Sequence, residues 1–271
     1  MHGPHETADP RGTLVNIAVL VKQVPDTWAE RTLSDTDKTL DREGVDAVIN
    51  EIDEYAIEEG LRLKEAHGGE VTIVSMGPER ALESVRKALS MGADKALLIT
   101  DPALHGACAV QTTKALAKAL GTIEWDVVIA GSEATDSRLA VVPAMLAEAL
   151  GAAQLTAARK VTVEGSTVTI ERQDVGGYTV VEAETPAVIS VVEKINDPRY
   201  PSFKGIMAAK SKPVTTVTAA DLGLDDTGLE AATSHVDSSE NAPPRQAGQA
   251  VKDEGDGGAK IAEYLVSKKI V

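Results

Sequence analysis

The chain has 271 residues, enough for one large or two small domains, and 43 % are hydrophobic, which supports a substantial core. A formal net charge of −15 excludes the basic face that nucleic acid requires and disfavours anionic membrane surfaces; it fits both simple solubility and steering toward basic partners. Cys108 is the one cysteine, so an internal disulfide and a thiolate metal cluster are excluded, which suits a reducing cytoplasm.

Met1 to Thr13 is polar and lacks the apolar core of a signal peptide, so it reads as a disordered leader. Val15–Val21 is an almost continuous apolar run, as expected of a parallel strand covered on both faces, and Pro25-Asp26 ends the segment. Asp46–Ala66 carries Val48, Ile49, Ile52, Tyr55, Ala56, Ile57 and Leu61 at helical spacing and stops at His67-Gly68-Gly69. Its Glu58-Glu59 pair reads as part of a solvated helix face, and its early acids, Glu51 and Asp53, as ordinary first-turn chemistry. Val71–Met76 is a second strand, Pro78–Met91 a helix, Lys95–Thr100 a third strand and Gly106–Leu120 an Ala-rich helix. Asp126–Ala130 is a fourth strand, followed by Gly131–Arg138 and a helix to Leu150. Strands and helices in this alternation predict an α/β fold built on a doubly wound parallel sheet, with ligands at the carboxyl rim of the strands.

Beyond Gly151 the pattern changes. Lys160–Val163, Val168–Arg172 and Tyr178–Glu182 alternate apolar and polar residues across Gly165-Ser166 and Gly176-Gly177, which are hairpin signals and predict an antiparallel annex to the same sheet. Pro186–Val192 returns as a core strand, and Val214–Val217 with Ala219–Leu222 extends the fold. Residues 14–224 therefore read as one nucleotide-binding α/β domain. From Asp225 to Gly258 the Ser, Gly, Pro and acidic content predicts a linker, and Ala259–Ile270 an amphipathic helix on a C-terminal arm within 225–271.

The first strand exits through Val21-Lys22-Gln23-Val24-Pro25, without the glycines of a dinucleotide fingerprint, and no Walker A sequence is present. The phosphate candidate is Gly131-Ser132-Glu133-Ala134-Thr135-Asp136-Ser137-Arg138. Its glycine admits close backbone approach, Ser132, Thr135 and Ser137 offer hydroxyls, Arg138 offers a fork-shaped cation, and the next helix start offers free N–H groups. An ordinary strand–helix turn capped by Ser or Thr fits the same residues. Five scattered histidines give no metal spacing, Met76 and Met91 read as core, and no nucleophile–base pair is recognisable, so catalytic residues and a metal are both read as none.

The segment Asn196–Lys210, with Tyr200, Phe203, Ile206 and Met207, places large apolar side chains in a turn-rich loop without apolar periodicity. Such a loop either folds back on its own core or docks a partner. Its Asn-Asp-Pro-Arg-Tyr and Ile-Met-Ala-Ala-Lys runs resemble the recognition loop of electron transfer flavoprotein beta subunits. The resemblance extends over most of Val15–Leu224, through Val19–Asp26, Asn50–Glu65, Ser75–Pro78, Arg86–Asp94 and Ala130–Asp136, and the Pro-Ser-Phe-Lys-Gly-Ile-Met variant looks like the actinobacterial branch.

That resemblance implies a heterodimer in which the alpha subunit holds most of the FAD and the beta subunit binds AMP structurally. It implies a carrier of single electrons without substrate turnover of its own. Its donors are flavoprotein dehydrogenases, such as the acyl-CoA dehydrogenases of fatty acid oxidation, and its acceptor is a membrane-bound quinone oxidoreductase. Carried over by position, AMP contacts fall on Leu20, Asn50, Glu51, Ile52, Asp53 and Met76. They continue through Gly131, Ser132, Glu133, Ala134, Thr135, Asp136, Ser137, Arg138, Leu139, Ala140, Val141 and Val142. Partner contacts fall on Tyr200, Phe203, Ile206 and Met207, with Phe203 in place of the family's anchoring leucine. The C-terminal helix resembles the arm that wraps the alpha subunit.

Three departures stand out: Val142-Pro143 replaces a common Thr-Gly, Ser137–Ala140 replaces glycines or small polar residues, and Gln173-Asp174 stands near a glutamate that helps orient the flavin domain. Two alternatives remain: an electron-bifurcating subunit with a second FAD in place of AMP, and a universal-stress-type adenine-nucleotide module. The recognition loop, the annex and the arm speak against the module.

Overall fold

The computed structural model describes residues 15–245, 248 and 250–271, so the expected leader at 1–13 lies outside the described residues. The chain divides into two units, residues 1–237 and 238–271. The first carries a nine-stranded sheet in the order β11-β5-β4-β1-β6-β10-β7-β8-β9. Its strands are β1 (Ile17–Leu20), β4 (Val71–Met76), β5 (Lys95–Ile99), β6 (Val127–Gly131), β7 (Ala153–Glu164), β8 (Thr167–Asp174), β9 (Gly177–Glu184), β10 (Ala187–Val191) and β11 (Val214–Val217). From β11 to β7 every pairing is parallel. Strands β7, β8 and β9 close as antiparallel hairpins, so the annex continues the main sheet. The architecture is the doubly wound α/β fold with an antiparallel annex that the sequence predicts.

The central strands are apolar on both sides because both sides are covered. Ile17 and Val19 of β1 join one core with Ile57 and Leu61 of α1 (Glu51–His67) and Val85 and Leu89 of α2 (Leu82–Met91). Ala18 and Leu20 point into a second core with Leu116 and Leu120 of α3 (Ala109–Leu120) and Leu146 of α4 (Val142–Leu150). The chain leaves β1 through α1 and α2 on one face and returns to the other side of β1 through α3 and α4 on the opposite face. The strand order thus reverses between β1 and β6, and the crevice at their carboxyl ends is the topological switch point of the sheet.

Three local expectations change. The first long helix begins at Glu51, not Asp46, because Ala47–Ile49 is an extended strand, β3, paired antiparallel with β2 (Gln23–Pro25). The segment from Asn196 is not all loop: Phe203–Ala209 forms α5, opened by Ser202, whose hydroxyl accepts a hydrogen bond from the Gly205 N–H at 3.0 Å. The stretch from Asp225 to Asp237, expected as linker, belongs to the first unit, where Thr233 Oγ1 lies 3.3 Å from Cys108 Sγ. Among its described residues the second unit carries one helix, α6 (Gly257–Ser267), none of whose residues is buried. Among the described residues no helix is long and apolar enough to cross a membrane.

Candidate nucleotide-binding rim and docking segment

At the switch point, polar groups far apart in sequence are bound to one another. Asn50 stands at the N-cap position of α1, makes no capping bond with its side chain, and is 1 % exposed. Its amide donates to Asp53 Oδ1 and to the Glu133 carbonyl, each at 2.9 Å, and its oxygen accepts the Thr135 N–H at 3.1 Å. Asp53 Oδ2 accepts the Lys22 N–H at 2.8 Å, which ties the exit of β1 to the same node. Burial pushes the Asp53 carboxyl up to about 7 against these donors. Asp53 is therefore a buried joint rather than ordinary first-turn chemistry. Gly131, the last residue of β6, is required by contact: a Cβ there would stand 2.5 Å from Asp53 Oδ1 and 3.1 Å from the Ile52 carbonyl carbon.

Asp136 is the second node. Its side chain is 1 % exposed and takes Lys22 Nζ at 2.9 Å on one oxygen and Arg42 Nη2 at 2.7 Å on the other. Burial works to raise this carboxyl, but Lys22 and then Arg42 outweigh it and hold it below the usual carboxylate range. Arg31 adds a bond to the Thr135 carbonyl at 2.7 Å, so the 26–46 segment is fastened to the loop after β6.

The remaining rim residues divide by role. Leu20 is buried at the end of β1, Ile52 is buried in α1, and Met76 is half-buried against the α3–α4 core. The Ser132 N–H donates to the Val191 carbonyl at 2.9 Å, and Ala134 accepts the Ser137 and Arg138 N–H groups to close the turn. Glu51 stays exposed beside Thr27. Arg138, expected as a fork for phosphate, pairs with Glu133 of its own loop at 3.0 Å. Arg138 and Ala140 both lie in the left-handed region, at φ 50° and 56°, a conformation glycine adopts without cost. Leu139 is exposed, and Val141, not Ser or Thr, stands at the N-cap of α4, so no side chain caps that helix.

This geometry fits an anionic nucleotide. The first turn of α4 offers uncapped N–H groups, and two buried hydroxyls, Ser75 Oγ on β4 and Thr135 Oγ1 after β6, have no hydrogen-bond partner among the described residues. Asn50, Asp53 and Asp136, which the resemblance marks as contacts, are committed to the loops and shape the rim from beneath.

The second candidate region lies along α1 and α2. Tyr200 is 95 % exposed, Phe203 81 %, Ile206 47 % and Met207 51 %. Phe203, Ile206 and Met207 are spaced i, i+3, i+4 and form one apolar face of α5. These four side chains thus stand outside the core, although Asn196 and Arg199 tie the segment back onto α1. Sequence reasoning missed the polar groups on which the segment is mounted. Glu58 and Glu59, expected on a solvated face, are 6 % and 5 % exposed and bind Arg199 and Asn196. The Asn-Asp-Pro-Arg run held that signal. Nothing in sequence spacing pointed to Arg42 or Lys22.

The chain thus combines a doubly wound sheet with a polar switch point, an antiparallel annex and a short helix whose apolar face is exposed. The electron transfer flavoprotein domain model matches residues 37–222. The electron transfer flavoprotein subunit beta of Mycobacterium bovis is 54 % identical over 95 % of this chain and 100 % of its own length, and that of Mycobacterium leprae matches to the same extent. A subunit of the caffeyl-CoA reductase-Etf complex of Acetobacterium woodii is 35 % identical over 94 % of this chain and 97 % of its own. The chain belongs to the electron transfer flavoprotein family, in the line of its beta subunits.

Proposed function

We propose that this chain is the AMP-binding half of a cytoplasmic heterodimer that carries single electrons from flavoprotein dehydrogenases, including the acyl-CoA dehydrogenases of fatty acid oxidation, to a membrane quinone oxidoreductase. The alpha subunit holds most of the FAD, which supplies the redox chemistry. This chain contributes binding and orientation. AMP lies at the switch point, its phosphate toward the α4 start and the Gly131–Val142 loop, and its adenosine toward Leu20 and Met76. The apolar face of α5 docks the dehydrogenase.

The observation that carries the docking role is the exposure of Phe203, Ile206 and Met207 on one short helix, with Tyr200 exposed in the loop before it. Large aromatic and apolar anchors at a protein surface are the side chains that dominate binding energy. The test is flavin reduction of the heterodimer by an acyl-CoA dehydrogenase. Phe203→Ala should raise the half-saturating dehydrogenase concentration while AMP and FAD content stay unchanged. Unaltered reduction kinetics would remove α5 from the docking role.

A further inference from the structure

The docking segment is held by charge and hydrogen bonds rather than by apolar burial. Of the residues of α5 only Ala209 is buried, and a cavity of about 310 Å³ opens beneath Tyr200, beside Tyr55 and Met91. Two polar clamps flank it. Upstream, the Arg199 guanidinium forks onto Glu58, Nε to Oε2 at 2.8 Å and Nη2 to Oε1 at 2.9 Å, and reaches Glu65 Oε1 at 2.5 Å. The Arg199 N–H donates to Glu58 as well, at 3.1 Å, and the Asn196 amide donates to the Tyr55 carbonyl and Glu59, each at 3.0 Å. Downstream, Arg86 donates to the carbonyls of Ala209 and Lys212 at 2.7 Å, and Lys212 Nζ to those of Leu89 and Ala93. Between the clamps Gly205 lies so close to the Ser90 carbonyl that a Cβ would not fit.

A buried ion pair contributes little net stability, but its geometry is specific, and a bidentate Arg–carboxylate pair fixes direction as well as distance. A loose segment would lose conformational freedom on meeting a partner and weaken the encounter. We infer that Arg199, forked onto Glu58 and Glu65, is a positioning residue that pre-orders the α5 docking face for the dehydrogenase. The inference rests on the docking reading above. Arg199 touches neither nucleotide nor flavin in that reading, so its loss acts on encounter and not on electron transfer within the complex.

The experiment uses the heterodimer and an acyl-CoA dehydrogenase that reduces it. Arg199→Lys keeps the charge and loses the fork. It should raise the half-saturating dehydrogenase concentration about tenfold, leave the limiting rate of flavin reduction unchanged, and speed amide exchange across residues 199–209. Glu65→Gln, which removes only the exposed partner, should give the same pattern at about two- to threefold, and serves where Arg199→Lys does not assemble. If Phe203→Ala raises the half-saturating concentration but neither clamp variant does, positioning by Arg199 is overturned and the docking reading stands. A fall in limiting rate in the clamp variants at unchanged half-saturation likewise overturns it. If Phe203→Ala has no effect, the docking reading fails and this inference with it.

Discussion

The rim and the docking segment use the same kinds of residue in opposite directions. At the rim, Asn50, Asp53 and Asp136 turn inward and bind loops to one another, and the buried hydroxyls of Ser75 and Thr135 are left without partners among the described residues. Along the docking segment, Asn196 and Arg199 turn inward onto α1, and the apolar side chains face outward. Polar residues thus set shape in both places. What is presented differs: a polar crevice in one, an apolar ridge in the other.

The largest expected effect tests the inward half of the comparison. The folded chain keeps the Asp53 proton up to about pH 7, whereas the free carboxyl releases it near 3.8. Between those values the folded state binds more protons, so the Asp53 contribution to stability falls as pH rises from about 4 to about 7, by roughly 4 kcal/mol. Asp53→Asn should flatten that slope in denaturant unfolding measured across this range. An unchanged slope would mean that Asp53 is not the buried joint described. Gly131→Ala follows at about 3 kcal/mol, because the added Cβ meets Asp53 Oδ1, a side-chain atom held in place by Asn50 and Lys22, and crowds the Ile52 carbonyl carbon. It should also lower nucleotide occupancy, read as AMP per heterodimer.

Phe203→Ala tests the outward half. Docking should weaken by about 2 kcal/mol, or roughly thirtyfold in half-saturation, with thermal stability changed by no more than about 0.5 kcal/mol. A large loss of stability would place Phe203 in the core. The smallest effect is expected at Arg138, where relief of the left-handed backbone offsets a surface ion pair with Glu133. Arg138→Gly should gain about 1 kcal/mol or less and keep AMP. Loss of AMP would show that the guanidinium leaves Glu133 to bind phosphate.

Much of the sheet was legible because its signals are local. Val71–Met76 is a β-branched, mostly apolar run closed by Gly77-Pro78, and the structure places β4 at those bounds. The annex was legible through alternation and glycine turns, although its strands extend beyond the alternating cores: β7 begins at Ala153, where it pairs in parallel with β10. Helix α1 was started too early because Val48 and Ile49 continue its apolar spacing, while their conformation is set by pairing with Gln23 and Val24. Helix α5 was hidden because it spans only seven residues after Pro198 and Pro201, too few for the spacing of Phe203, Ile206 and Met207 to stand out as a helical period. The rim nodes were legible only as positions carried over by the resemblance, and their pairings were not legible. Asp136 is held by Lys22 and Arg42, and Asn50 by Glu133 and Thr135; such pairings depend on the sheet bringing distant segments to one edge.

The central claim is that the switch point holds AMP while a single FAD serves the heterodimer. It is tested most directly by mass spectrometry of the nucleotides released when the heterodimer, purified with its alpha subunit, is denatured by heat. One AMP and one FAD per heterodimer is the predicted result. Two FAD and no AMP would contradict it, and would assign the rim beside Gly131 and Thr135 to a second flavin in an electron-bifurcating complex.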